Sequence, residues 1–125
     1  MGKKNGPIGA RSEIEMADGT VVPLVITWGL LLRVSTLNKE LYKRFSKLST
    51  RGFINDILSA VTIVYTGYLC AYLDENGSAE GCLTEDEFTA NVPNDISVVS
   101  MAALELTAPK ATADFKQRSK SEQNS

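Results

Sequence analysis

Apolar residues recur at helical spacing over most of the chain, so the sequence predicts a mainly α fold. The longest pattern runs from residue 50 to residue 73, where apolar side chains return at every third or fourth position. So many apolar positions around one helix predict a central helix that packs on more than one side. Shorter patterns predict helices over 28–37 and 38–48, and these two segments could also form one bent helix.

A different pattern near the start of the chain predicts a β-hairpin. Residues 12–17 alternate between apolar and polar side chains, and Asp18-Gly19 follows as a strong turn signal before a second strand-like run over 20–27. Two strands alone are not stable in water, so the hairpin must pack against the helices. Trp28 directly follows the hairpin and is expected to anchor it there.

The most specific local signal marks the start of a short helix. Thr84 and Glu87 have the spacing of a capping box, and Leu83 and Phe88 stand where a hydrophobic staple places its two apolar residues. Pro93 ends the helix because proline has no backbone N–H and restricts the preceding residue.

A last helix is expected after that proline, within a single domain over 11–110. Asn94 or Asp95 can cap it, and one stripe of the helix carries the apolar residues Ile96, Val99, Ala103 and Leu106. Residues 1–10 and 111–125 are polar or glycine-rich and are predicted to be disordered. The predicted fold is therefore a small helical bundle with an N-terminal β-hairpin packed against it.

The composition argues against an enzyme and against a metal site. Histidine is absent, which removes the commonest general base and the commonest metal ligand. The carboxylates carry no catalytic motif, so neither catalysis nor a cofactor is expected. Cys70 and Cys82 are the two cysteines, and they suit free thiols in a reducing compartment.

Charge is distributed unevenly along the chain. Residues 33–51 contain six basic side chains against one acid, whereas 52–109 contain nine acids and no Lys or Arg. This polarity predicts self-association in which the basic half of one copy meets the acidic half of another, although separate solvated helix faces would give the same pattern. The candidate residues for self-association or client contact in this basic run are Lys43, Arg44 and Lys47.

Neither a nucleic acid nor a membrane is expected as a partner. The net charge is −2, and few aromatic residues accompany the basic run. The uncharged segment 57–73 is near the lower length limit for a membrane span and contains Ser, Thr and Tyr.

Tyr65, Tyr68 and Tyr72 form an aromatic stripe at helical spacing. One interpretation is ordinary packing in the core. The other is a partly exposed groove that binds apolar helices of a partner, because tyrosine combines an apolar ring with a polar tip. The second interpretation makes the three tyrosines candidate partner-binding residues.

The acidic loop after the central helix partly matches an EF-hand calcium loop. Positions one, three, five, seven and twelve would be Asp74, Asn76, Ser78, Glu80 and Glu85. Ala79 stands where glycine must make the sharp turn, and the chain has no second loop of this kind. A degenerate, calcium-responsive binding module is therefore an alternative that departs from the pattern.

The combination of these segments resembles a known family, the tail assembly chaperones of long-tailed phages and prophages of Gram-positive bacteria. The resemblance covers roughly residues 12–110. It rests on the order of the Asp-Gly hairpin, the central helix ending in Tyr68-Leu-Cys-Ala-Tyr72, and then Leu83-Thr-Glu-Asp-Glu-Phe88, Val92-Pro-Asn-Asp-Ile96 and Leu104-Glu-Leu-Thr-Ala-Pro-Lys110.

The resemblance implies a non-enzymatic protein of the host cell cytoplasm that is absent from the finished virion. Members of the family bind the tape measure protein, keep its long apolar helices soluble, help to recruit tail tube protein and commonly form homo-oligomers. Some are also made in a longer, frameshifted form. The family has no catalytic residues to transfer to this chain. A structural tail component that stays in the virion is the alternative.

Overall fold

The computed structural model describes residues 11–51 and 57–107 and confirms the predicted fold class. The elements, in chain order, are β1 (Arg11–Glu15), β2 (Val21–Val25), α1 (Trp28–Leu37), α2 (Lys39–Arg51), α3 (Ile57–Asn76), α4 (Glu85–Asn91) and α5 (Ile96–Thr107). The termini that were predicted to be disordered, 1–10 and 111–125, lie outside the described residues, as do 108–110 of the predicted domain.

The N-terminal hairpin forms around Asp18-Gly19 as predicted. Strands β1 and β2 pair antiparallel, with Ile14 opposite Val22. Gly19 has a φ of +91°, which glycine adopts without steric cost. The Asp18 carboxylate accepts a hydrogen bond from the Thr20 amide at 2.9 Å, which fixes the turn locally.

Helix α3 forms the centre of the molecule. Every residue from Ala60 to Ala71 is buried, and the helix packs against β2, α1, α2, α4 and α5. This confirms a central helix that packs on more than one side. The helix continues past its predicted end at Leu73 to Asn76, and Thr50, its predicted start, belongs to α2. Residues 52–56 of the predicted helix lie outside the described residues.

Helix α3 ends just before Gly77, and the acidic residues near its end, Asp74 and Glu75, are still helical. The Gly77 amide donates to the Leu73 carbonyl at 2.8 Å, and Gly77 has a φ of +78°. A glycine in the left-handed conformation just after the last helical residue is the usual C-terminal signal.

Helices α1 and α2 are separate, joined at Asn38. The Asn38 side chain accepts from the Leu41 amide at 3.1 Å and so caps α2. Helix α1 buries Leu31 and Val34. The prediction that Trp28 anchors the hairpin was wrong, because the Trp28 side chain is 73% exposed.

The capping predictions for the last two helices are confirmed. The Thr84 side chain accepts from the Glu87 amide at 3.1 Å, and the Glu87 carboxylate accepts from the Thr84 amide at 2.9 Å. In α5 the Asp95 carboxylate accepts from the Ser97 amide at 3.0 Å. The predicted apolar stripe holds for three of its residues, Val99, Ala103 and Leu106, whereas Ile96 is 63% exposed.

Among the described residues, α3 is the one helix long and apolar enough to cross a membrane by length and composition. Of the residues in its most apolar stretch, 72% are buried within the fold. The helix thus buries its apolar surface against the rest of the chain.

Candidate functional site

The tyrosine stripe faces the interior. Tyr65 and Tyr68 are 4% and 7% exposed, and Tyr72 is half-buried. The Phe88 ring packs against both of the first two, with ring centres 5.4 Å from Tyr65 and 5.2 Å from Tyr68, and those two rings also contact each other at 5.9 Å. Tyr68 also contacts Tyr72 at a ring distance of 6.0 Å. The four rings form a small aromatic cluster between α3 and α4.

The hydroxyl groups of the three tyrosines bind the backbone of the loop that leads into α4. Tyr65 Oη donates to the Leu83 carbonyl at 2.9 Å, and the Leu83 amide donates to Tyr68 Oη at 2.8 Å. Tyr72 Oη donates to the Glu80 carbonyl at 2.7 Å. Desolvation by burial raises the pKa of both Tyr65 and Tyr68, so both stay protonated at neutral pH.

The structure therefore corrects the prediction that the tyrosines form an open partner-binding groove. The alternative interpretation, packing in the core, describes Tyr65 and Tyr68, because their rings are enclosed and their polar tips are already paired. Gly81 is part of the same arrangement. It has a φ of +87°, and a Cβ atom added there would lie 2.9 Å from Tyr72 Oη.

The basic run is divided between an internal contact and the surface. Arg44 forms a bidentate pair with the Glu85 carboxylate at 2.8 and 2.7 Å, and these hydrogen bonds raise the pKa of Arg44. Arg44 thus links α2 to α4 within one molecule and is not a free charge for a partner. Lys43 and Lys47 are exposed, and neither forms an ion pair in the described part of the chain.

The acidic loop does not have the shape of a calcium-binding loop. Asp74 and Asn76, the first and third positions, are still helical. The Asp74 carboxylate pairs with Arg11 at 2.6 Å, and the Asn76 amide donates to the Tyr72 carbonyl at 3.1 Å. Over residues 11–51 and 57–107, no group of three or more Cys, Asp or Glu side chains is placed to hold a metal ion.

Both cysteines are free thiols. Cys70 is fully buried in α3, and this burial raises its pKa to about 12. Cys82 is half-buried in the loop before α4, and desolvation raises its pKa as well. A thiol with a raised pKa is a poor nucleophile at neutral pH, so neither cysteine has the environment of a reactive one.

Sequence reasoning missed the exposed apolar side chains of α1. Trp28 and Leu32 are 73% and 69% exposed, and Leu37 is 55% exposed near the end of the helix. The other large apolar side chains with substantial exposure among the described residues are Val21, Tyr42, Ile57, Leu58, Ile96, Val98 and Met101. The sequence contained a signal for this surface, since α1 has more apolar positions than one buried stripe requires.

Two grooves run beside α1. The α1–α2 groove is formed by Trp28 and Leu31 of α1, Tyr42 and Phe45 of α2, and the end of α5. The α1–α3 groove, of about 450 Å³, lies between Leu32 and Leu37 on one side and the end of α3 on the other. Exposed apolar surface of this extent is typical of a site that binds another protein.

A third groove lies on the hairpin side of α5. This β1–α5 groove is floored by Ile14, Val98, Met101 and Ala102 and edged by Glu13, Glu15 and Glu105.

Comparisons of the chain with protein-family models, with curated proteins and with solved structures find no match.

Proposed function

We propose that this protein is a non-catalytic tail assembly chaperone of a long-tailed phage or prophage. It acts in the host cell cytoplasm, binds the tape measure protein, helps to recruit tail tube protein, forms homo-oligomers and is absent from the finished virion. The family assignment follows from the order of sequence segments from the Asp-Gly hairpin to α5. The observation that carries the proposal is the exposed apolar face of α1.

This face is exposed although the core beneath it is complete. Leu31 and Val34 on the opposite side of α1 are 4% and 0% exposed, so the helix is already held by its buried face. Leu32 and Leu37 are not needed for that packing. Apolar surface contributes about 25 cal/mol per Å² when a partner removes it from water, so this face stabilises a complex more than it stabilises the monomer.

The α1–α3 groove suits an apolar helix of a client. The exposed Leu32 and Leu37 provide apolar contacts, the buried Leu73 forms part of the floor, and Arg33 donates to the Gly77 carbonyl at 2.7 Å from one side of the groove to the other. An amphipathic helix binds such a groove through side chains spaced by three and four residues. A tape measure protein with long apolar helices is a client of this kind. The tyrosines, for which a client groove was one of two interpretations, do not line this groove and pack instead against Phe88 and the loop before α4.

Co-expression with a candidate tape measure protein tests the proposal. The wild-type chain should retain the client in a pull-down and keep it soluble. The double variant L32S/L37S should lose most of the retained client, because it removes the two exposed leucines of the groove. Leu58→Ser is the matched control, since Leu58 is 64% exposed but lies on α3 away from the groove.

Two results would overturn the proposal. One is a wild-type chain that never retains the client. The other is detection of the protein in purified virions by mass spectrometry, which would identify a structural tail component instead.

A further inference from the structure

Two of the grooves have rims of opposite charge. Lysines of α2 flank the α1–α2 groove, and glutamates of β1 and α5 line the β1–α5 groove. Each groove is apolar at its centre and lies on a different side of α5, because the first contacts Leu106 and Thr107 and the second contacts Val98 and Met101. Surfaces that are apolar at the centre and complementary in charge at the edge are suited to bind each other.

The basic rim follows from the helical periodicity of α2. Lys39 and Lys43 precede Tyr42 and Ser46 by three residues each, so they lie on the same side of the helix as these two groove residues. Both lysines are exposed, and neither is neutralised by a carboxylate in the described part of the chain. Arg44 does not contribute to this rim because it pairs with Glu85.

The acidic rim is built from two elements. Glu13 and Glu15 are exposed on β1, and Glu105 lies across the groove on α5. Ser12 Oγ donates to the Glu105 carboxylate at 3.0 Å, which holds that side chain between the two elements. Val98 and Met101 are 41% and 39% exposed at the centre of the groove.

We propose that the α1–α2 groove of one copy binds the β1–α5 groove of a second copy. Trp28 and Tyr42 would contact Val98 and Met101, with lysines facing glutamates around them. The two surfaces are different, so a pair of bound copies still has one free groove at each end. Such a contact is heterologous and produces open chains or rings rather than a closed two-fold dimer.

The charges favour a second copy over the chain's own C-terminal segment as the occupant. The described chain ends at Thr107 on the edge of the α1–α2 groove. Residues 108–125 carry four basic and two acidic side chains. That segment has the same sign of charge as the lysine rim, whereas the β1–α5 groove has the opposite sign.

Charge exchange tests the pairing directly. The wild-type chain should form a concentration-dependent series of oligomers in sedimentation velocity. The variant K39E/K43E gives both grooves an acidic rim. The variant E13K/E15K reverses the charge of both β1 glutamates. Each variant alone should stay monomeric. Mixed together they should co-assemble, and a chain carrying all four changes should assemble like the wild type. Circular dichroism and thermal unfolding check that each variant is folded.

The single tryptophan reports on the same contact. Trp28 is exposed in one molecule, so its fluorescence emission should shift to shorter wavelength as wild-type oligomers form and should not shift in either charge variant. E75K/E80K is the matched control for E13K/E15K, because it makes the same change in net charge at the end of α3 and in the loop that follows, outside both grooves, and should leave assembly unchanged.

Several outcomes would overturn the proposed contact. These are a wild-type chain that remains monomeric at millimolar concentration, charge variants that assemble as the wild type does, or failure of the mixed variants to co-assemble. If deletion of residues 108–125 changes the Trp28 emission of the monomer, the C-terminal segment occupies the groove instead. The proposed contact rests on the homo-oligomer part of the proposed function, whereas client binding is tested separately by client retention through Leu32 and Leu37.

Discussion

At the scale of single residues, Gly67 sets the distance between the two helices that pack most extensively. A Cβ atom at this position would lie 2.6 Å from Leu106 Cδ1, which is too close for two carbon atoms. Leu106 is 1% exposed, so an added methyl group at Gly67 would force the Leu106 side chain to shift within a buried contact. The absence of a side chain at Gly67 therefore allows α3 and α5 to approach.

Gly67→Ala should lower the free energy of unfolding. Overpacking in a filled core costs about 2 kcal/mol, and the higher helix propensity of alanine offsets about 1 kcal/mol, so a net loss of about 1 kcal/mol is expected in urea unfolding. Gly29→Ala is the matched control. A Cβ atom there meets nothing within 4 Å, so the same substitution in α1 should leave stability unchanged or raise it. A stable Gly67→Ala variant would contradict the close approach.

The tyrosines show which features of a site can be predicted from the spacing of residues along the chain. Their spacing predicted correctly that they share one side of the central helix. It did not decide whether that side is open or covered, because the answer depends on where the segment of residues 80–84 returns. The aromatic cluster with Phe88 and the hydrogen bonds to Leu83 are contacts between positions 15 to 23 residues apart, and helical periodicity carries no information about them.

At the scale of elements, helix α4 depends on its ends more than on its length. It has only seven residues, and an isolated helix this short is not stable. The capping box at Thr84, the acids of the first turn and the burial of Phe88 hold it in place. The Arg44–Glu85 pair then connects it to α2.

Thr84→Ala should destabilise the protein by about 1 kcal/mol, because it leaves the Glu87 amide without its acceptor. Thermal and urea unfolding of the purified variant measure this. Thr36→Ala is the control, since the exposed Thr36 hydroxyl bonds only to the Leu32 carbonyl within α1, and its loss should change stability by less than about 0.5 kcal/mol. Equal effects of the two substitutions would show that the cap makes no special contribution.

Caps were predictable because they involve atoms three residues apart. The buried face of a helix was less so: Trp28, Leu32 and Ile96 were each placed on an apolar stripe but are exposed, and two of them, Trp28 and Ile96, are the first residue of a helix. Side chains in a helix tilt toward its N-terminus, so the side chain of the first residue projects past the end of the helix and can clear the core. Periodicity counts that position with the stripe although it lies beyond the packed surface.

At the scale of the whole molecule, α3 is enclosed so completely that its centre is reached only when the fold opens. Cys70 lies at this centre with no exposed surface. Burial also raises its pKa to about 12, so its thiolate is scarce at pH 8. Burial and the raised pKa therefore both slow the reaction of the Cys70 thiol with alkylating reagents.

Alkylation of Cys70 should report on unfolding of the whole domain. In a Cys82→Ser variant, iodoacetamide at pH 8 should modify Cys70 only as fast as the native protein opens, with rates that rise in urea together with the loss of circular dichroism. The matched Cys70→Ala variant, which retains the half-buried Cys82, should react faster in native buffer. Modification of Cys70 well before unfolding would show that α3 is exposed by a smaller motion.

The charge polarity of the chain was apparent from the sequence, but its spatial arrangement was not. The sequence predicted contacts between the basic and acidic halves of different copies, but one such contact, between Arg44 and Glu85, occurs inside a single molecule. The acidic rim of the β1–α5 groove comes mainly from the hairpin, which the division of the chain into halves did not include. Only the packing of β1 against α5 brings these glutamates together.

The hairpin is synthesised before the segments of the chain that bind it in the folded protein. The Ala17 amide donates to the Asn91 carbonyl at 2.7 Å, and Ser12 bonds to Glu105, 93 positions later. At a translation rate of about 5 to 20 residues per second, roughly 5 to 20 s pass between synthesis of the hairpin and synthesis of Glu105. During that interval the nascent chain exposes Ile14 and Leu24, which the finished protein encloses, so the newborn polypeptide itself passes through a stage in which it can be captured by other cellular factors.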